Sequence, residues 1–216
     1  MRKIIKILAL TFLVGLSYLS FGQNESNAKT AGINTSPAKK IDFGLRGGVG
    51  IANITGSKDA DENRKFCLCP QLGVYTGFTL NEKLQLQPEL KYVRKGYNYF
   101  FKNRTETKEK YRASYLDIPI SLQYKTNESF FIKGGFYLGF LLGASHVIND
   151  HKNTSTDYLN GTTFGLCVGS GIQTKSGMDF GITIDKGLSA VYSNNYKKYN
   201  FQIMLSVGIK LNKIKK

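Results

Sequence analysis

Ser145, His146, Asp150 and His151 stand together in one polar stretch of the chain. A serine, a histidine and a carboxylate can serve as a nucleophile, its base and the group that orients the base, the parts needed for acyl transfer or ester hydrolysis. Spacing alone does not build that geometry, and two histidines in a polar segment are more often simply solvated. Cys67, Cys69 and Cys167 offer thiols, but with the histidines they show no zinc-type ligand spacing. Cys67 and Cys69 are too close along the chain to bridge without strain, so a bridge from either to Cys167 stays open. Gly47, Gly48 and Gly50 lack the spacing and the following helix of a dinucleotide loop. The expectation is no enzyme, with no catalytic, cofactor-binding or metal residues.

Two sets of charged residues remain. Lys102, Arg104, Lys108, Lys110 and Arg112, among Glu106, Glu109 and the aromatics Tyr99, Phe100 and Phe101, are candidate contacts for lipid phosphates. An ordinary solvated loop is the simpler reading of that set. The second set is Arg46, Glu89, Lys91, Asp117, Lys133, Asp179, Asp185 and Lys210, four cations and four carboxylates, each embedded in an alternating apolar and polar run.

Those runs are the elements that must position them. Residues 84–92 read Leu, Gln, Leu, Gln, Pro, Glu, Leu, Lys, Tyr, a strand with one apolar face. Eight such segments occur: 42–54, 70–80, 84–97, 112–125, 130–144, 162–174, 178–188 and 199–211. Each is long enough for a tilted strand to cross a bilayer, which takes roughly 9–11 residues. The connections 81–83, 126–129 and 175–177 are tight turns, and they alternate with the longer polar connections 55–69, 98–111, 145–161 and 189–198. That alternation puts all short turns at one end, as in outer membrane barrels.

Parity sorts Leu45, Val49, Leu72, Leu86, Ile118, Leu138, Val168, Ile182 and Leu205 onto one face without a formal charge. The eight ionic residues fall on the other, among glycines such as Gly44, Gly139 and Gly208. A lipocalin-like soluble barrel would turn the apolar face inward. Glycine-rich spacing and balanced charge favour the opposite arrangement, a narrow lumen crowded with paired ions and apolar side chains facing lipid. Phe43, Phe78, Tyr124, Phe130 and Phe180 gather at the short-turn end as an interfacial girdle would. An eight-stranded lumen is filled by its own side chains, which argues against an open porin. Pro88 and Pro119 each remove a ladder donor, so a bulge or lost pairing is expected at both.

Arg2, Lys3 and Lys6 precede an apolar run, 7–16, too short to span a membrane as a helix. Residues 1–22 read as a signal peptide cut before Gln23, 23–41 as a flexible periplasmic leader, 42–211 as the barrel and 212–216 as a basic tail. Cleavage would lower the formal charge from +15 to +12. An exported basic chain meets acidic headgroups or lipopolysaccharide phosphates rather than nucleic acid.

The chain also resembles a known family, the PorT-like outer membrane β-barrel proteins of the porin family. The likeness rests on Phe43-Gly44-Leu45-Arg46-Gly47-Gly48, Leu86-Gln87-Pro88-Glu89-Leu90 with Tyr92, Lys95-Gly96, Tyr115-Leu116-Asp117-Ile118-Pro119 and Gly134-Gly135-Phe136-Tyr137-Leu138-Gly139. Phe164-Gly165, Gly187-Leu188 and the closing strand complete it. Both prolines fall inside these motifs. The resemblance implies an integral outer membrane barrel and no reaction, and it does not carry over any link to a secretion apparatus. The expectation is an all-β, eight-stranded antiparallel up-and-down transmembrane barrel, monomeric, with a structural or interaction role through its loops or periplasmic ends. Its partners would be outer membrane lipid, lipopolysaccharide and a protein not named by the sequence.

Overall fold

Period-two alternation persists through ten strands in the computed structural model, which describes residues 41–56, 62–101, 108–148, 151–154, 156–193 and 197–213. The expected signal peptide, most of the leader, Lys102, Arg104, Asp150 and residues 214–216 lie outside the described residues. The strands are β1 (Ile41–Gly56), β2 (Glu62–Lys65), β3 (Cys67–Thr79), β4 (Leu84–Phe101), β5 (Lys108–Lys125), β6 (Phe130–Ile148), β7 (His151–Asn153), β8 (Thr162–Gln173), β9 (Met178–Gly187) and β10 (Lys198–Lys210). Eight of them close a ring in the order β1-β3-β4-β5-β6-β8-β9-β10, every neighbour antiparallel. The seam between β1 and β10 runs unbroken from Gly44↔Lys210 to Gly56↔Lys198.

Local chemistry explains the short turns. The Asn81 side-chain oxygen accepts from the Lys83 and Leu84 amides at 3.0 and 2.8 Å, and the Asn127 oxygen accepts from Ser129 and Phe130 at 2.9 and 2.6 Å. These are Asx turns, in which a short amide takes over donors that the tight bend leaves over. Gly177, at φ 91°, supplies the left-handed residue of the third turn. A 3-10 turn, Leu211–Lys213, ends the last strand at the same end, where Asn212 Nδ2 donates to the Ile41 carbonyl at 3.0 Å and fastens the two strand termini together.

Leu72, Val168 and Leu205 are 67%, 59% and 60% exposed, whereas Glu89, Asp117 and Asp185 are no more than 5% exposed. Apolar side chains therefore point out and ionic ones in, the reverse of a lipocalin-like barrel. Exposed Tyr124, Phe130 and Phe180 mark the short-turn rim, with Phe43 and Phe78 half-buried there. No helix among the described residues is long and apolar enough to cross a membrane. Inside, space is tight: a side chain at Gly44 would enter the Tyr75 ring, and one at Gly208 would strike the Asp179 carboxylate.

Both prolines interrupt pairing. The β3–β4 ladder skips from Tyr75↔Glu89 to Phe78↔Leu86, and the β4–β5 ladder skips from Pro88↔Ile120 to Lys91↔Asp117. A bulge lies further up, where Ser114↔Gly143 is followed by Tyr115↔Leu141 and Leu142 becomes the extra residue. Above it the parity of β6 reverses, so Ala144 and His146 come opposite Ala113 and Tyr111.

The main departure from the sequence reading is at the long-loop end. Strands β4 and β5 have 18 residues each and β6 has 19, well beyond what a bilayer requires. β2 pairs with the top of β4 and β7 with the top of β6, so a five-stranded sheet stands above the barrel where connections 55–69, 98–111 and 145–161 were expected to be loops. Its alternation holds, with Tyr97 and Tyr99 inward, but charged residues on the outer face disguise it as loop.

Candidate functional site

The lumen is built in layers. Nearest the short turns, the Asp42 carboxylate accepts from Lys210 Nζ at 2.7 Å, Gln85 Nε2 at 3.1 Å and Asn212 Nδ2 at 3.1 Å. One layer up, the Arg46 guanidinium donates to Glu89 and, at 2.9 Å, to Asp179. It lies 4.5 Å from the centroid of the Tyr75 ring, whose hydroxyl donates to Asp179 at 3.3 Å. Lys133 also approaches Glu89, at 3.5 Å. Next comes Lys91, paired with Asp185 at 3.0 Å, with Gln202 donating to the same carboxylate oxygen. Highest is Lys95, 2.8 Å from Asp117 and 4.8 and 4.5 Å from the centroids of Tyr115 and Tyr137.

The structure thus brings together all eight ionic residues that parity selected, and adds Asp42 and Lys95, each with a partner of opposite sign. The signal for Lys95 was present, since it shares the parity of Lys91. Ionised groups removed from bulk water in this way persist only if paired and hydrogen-bonded. A cavity of about 20 Å³ remains among Arg46, Glu89, Lys91, Lys133 and Asp185, room for about one water. Gln71 Oε1 and Asp185 Oδ1, which have no protein hydrogen-bond partner, belong to residues lining it.

Above the ions the lining turns aromatic. Tyr97 stacks on Tyr111 at 5.0 Å between centroids and meets Tyr99 edge-on at 4.5 Å, while its hydroxyl bonds that of Tyr192. Tyr192 stacks in turn on Tyr158 at 6.1 Å. Leu159 and Val191 enter this cluster from the last two loops, 7% and 0% exposed. Asn160 secures them, donating through Nδ2 to the Ala190 and Tyr192 carbonyls at 2.8 and 3.0 Å. The described parts of the last two connections, expected to be long polar loops, therefore fold inward over the mouth.

Among the described residues the serine–histidine set does not assemble into a relay, and Asp150 lies outside them. Ser145 and His146 are consecutive in β6 and so point to opposite faces. His146 Nε2 lies 3.2 Å from Glu109 Oε2, and His151 sits exposed in β7. Cys67, Cys69 and Cys167 are free and buried.

On the outer face of the extended sheet, pairing registers Lys65, Asn98, Lys110, Val147 and Lys152 in one row across β2, β4, β5, β6 and β7. Lys65, Lys110 and Lys152 are exposed, as is Arg94 below them. Lys110 belongs to the basic set singled out in the sequence, and Lys65, Arg94 and Lys152 were missed. Arg112 is drawn into the fold instead, donating to the Tyr97 and Tyr111 carbonyls at 2.9 and 2.7 Å and to Asn98 at 2.9 Å. Lys108 is in β5 opposite Phe100, and its side chain lies outside the described residues.

Comparison with known proteins places this architecture. The crystal structure of neisserial surface protein A, from Neisseria, superposes with a TM-score of 0.53 at 13% identity, covering 78% of this chain and 97% of that one. Ail of Yersinia pestis, solved with the heparin analogue sucrose octasulfate, scores 0.45 at 9% identity over 80% of this chain and 99% of its own. OprG of Pseudomonas aeruginosa scores 0.42 at 13% identity over 80% and 97%. The first shows a shared fold, and the other two add nothing to the argument. A search of curated proteins by sequence finds no match. The family model for the outer membrane protein beta-barrel domain matches residues 21–215, nearly the whole chain, and the chain belongs to that family.

Proposed function

We propose that this protein is a non-conducting, non-enzymatic outer membrane barrel whose rigid extended sheet holds lipopolysaccharide phosphates at the outer leaflet. In this reading it is a PorT-like member, on the strength of its Phe43–Gly48 and Tyr115–Pro119 motifs, and it reaches the membrane after cleavage before Gln23. The observation that carries the reading is the cationic row of Lys65, Lys110 and Lys152, presented by paired strands just above the lipid-facing belt. Cations fixed on a sheet lose less entropy on meeting phosphate than cations on a loose loop. The filled lumen supports a structural role over transport. Protein partners would meet the same sheet or the periplasmic ends.

The test is lipopolysaccharide retention by the purified barrel. Lys65→Gln, Lys110→Gln and Lys152→Gln combined should lower co-purifying lipopolysaccharide several-fold and leave heat-dependent gel mobility intact. Unchanged retention would overturn the reading.

A further inference from the structure

Two thiols and a thioether meet inside the barrel, below the aromatic cap and apart from the ion pairs. Cys67 and Cys69 are two apart on β3, so both point into the lumen, and the Cys67 thiol is within hydrogen-bonding reach of Cys69. Gly50 of β1 lies opposite Cys69 on one side and opposite Met204 of β10 on the other. A side chain at Gly50 would come within 2.6 Å of the Met204 sulfur, so the glycine leaves room for that sulfur between the strands. Cys67, Cys69 and Met204 form one packed cluster with Ala52, and none of the four is more than 3% exposed.

Residues i and i+2 of a strand project in parallel, which is poor geometry for a disulfide. The two thiols thus stay side by side although an exported chain meets an oxidising compartment. Cys67, Cys69 and Met204 offer sulfur donors, and among the described residues no carboxylate or imidazole joins the two cysteines in a metal-ligating group. Hard cations require oxygen ligands; thiolate and thioether sets select Cu(I), zinc or Fe–S clusters, and three sulfurs fall short of the four ligands that structural zinc and Fe–S sites take. We infer that Cys67, Cys69 and Met204 form a binding site for a soft monovalent cation, Cu(I). Binding exchanges the two thiol protons for one metal ion, leaving the site with one net negative charge. The Arg112 cation, within electrostatic range of both thiols, offsets it.

The experiment uses the folded barrel in detergent, with Cys167→Ser as background so that only this pair of thiols remains, titrated anaerobically with Cu(I) against bicinchoninate. One equivalent per barrel is expected to be withheld from the chelator, with a sulfur-to-copper charge-transfer band in the ultraviolet. Cys67→Ser with Cys69→Ser should abolish both signals, and Met204→Leu should lower the share of copper withheld from the chelator while the two thiols still bind. Retention of copper by the double serine variant, or no withheld equivalent in the background protein, would overturn the proposal. X-ray absorption on the loaded background protein tests it without altering the site: sulfur-only first-shell scattering supports it, and a nitrogen or oxygen shell contradicts it.

Discussion

The lower lumen and the mouth of this barrel are both filled, but by different physics. Below, each charge from Asp42 to Asp117 has a partner of opposite sign on another strand, so removing a sole or shared partner such as Lys91 or Arg46 leaves a carboxylate uncompensated. Above, Tyr97, Tyr99, Tyr111, Leu159 and Val191 pack as a small aromatic core, where a lost group leaves only a cavity. The contrast teaches that a narrow barrel can be sealed twice, once by charge pairing that cross-links its strands and once by loops that carry apolar residues inward.

Substitutions can sharpen that contrast. Arg46→Met should have the largest effect, about 3–5 kcal/mol of unfolding free energy, because Glu89 and Asp179 lose their shared partner. Urea titration of the barrel in lipid vesicles would measure it, and a loss below about 1 kcal/mol would mean that water enters and solvates the layer. Leu159→Ala in the cap should cost about 2–3 kcal/mol. It should also speed amide exchange in 156–161 and 189–193 while leaving the strands protected. Around Lys95, Asp117→Leu alone should be markedly more harmful than Lys95→Met with Asp117→Leu, since the double change leaves no bare charge. Equal losses in those two variants would erase the distinction between the layers. Tyr97→Phe should have the smallest effect, about 1 kcal/mol, for the single hydroxyl bond to Tyr192.

Much of the lower region was legible in the sequence because a strict period of two writes the lumen directly. Arg46, Glu89 and Asp179 stand at lumen parity, and the structure joins them. The upper region was less legible for physical reasons. Leu159 follows Tyr158, and Val191 lies between Ala190 and Tyr192, but these apolar clusters are too short to show a period of two, and nothing local says that they turn inward. The extension of β4 and β5 was hidden because its outer face meets water, so Lys110 and Asn98 break the apolar alternation that identified the lower strands. The bulge at Ser114 and Tyr115 leaves no mark in composition, yet it reverses the parity of upper β6 and brings His146 opposite Tyr111 on the inner face. Pro88 and Pro119 did announce their interruptions, because a missing N–H is a property of the residue itself.

The central claim is that these two fillings together close the lumen. Single-channel recording of the purified barrel in a planar bilayer tests it most directly. The account predicts a flat baseline in concentrated salt at voltages the bilayer tolerates, and reproducible stepwise openings from the unaltered protein would contradict it.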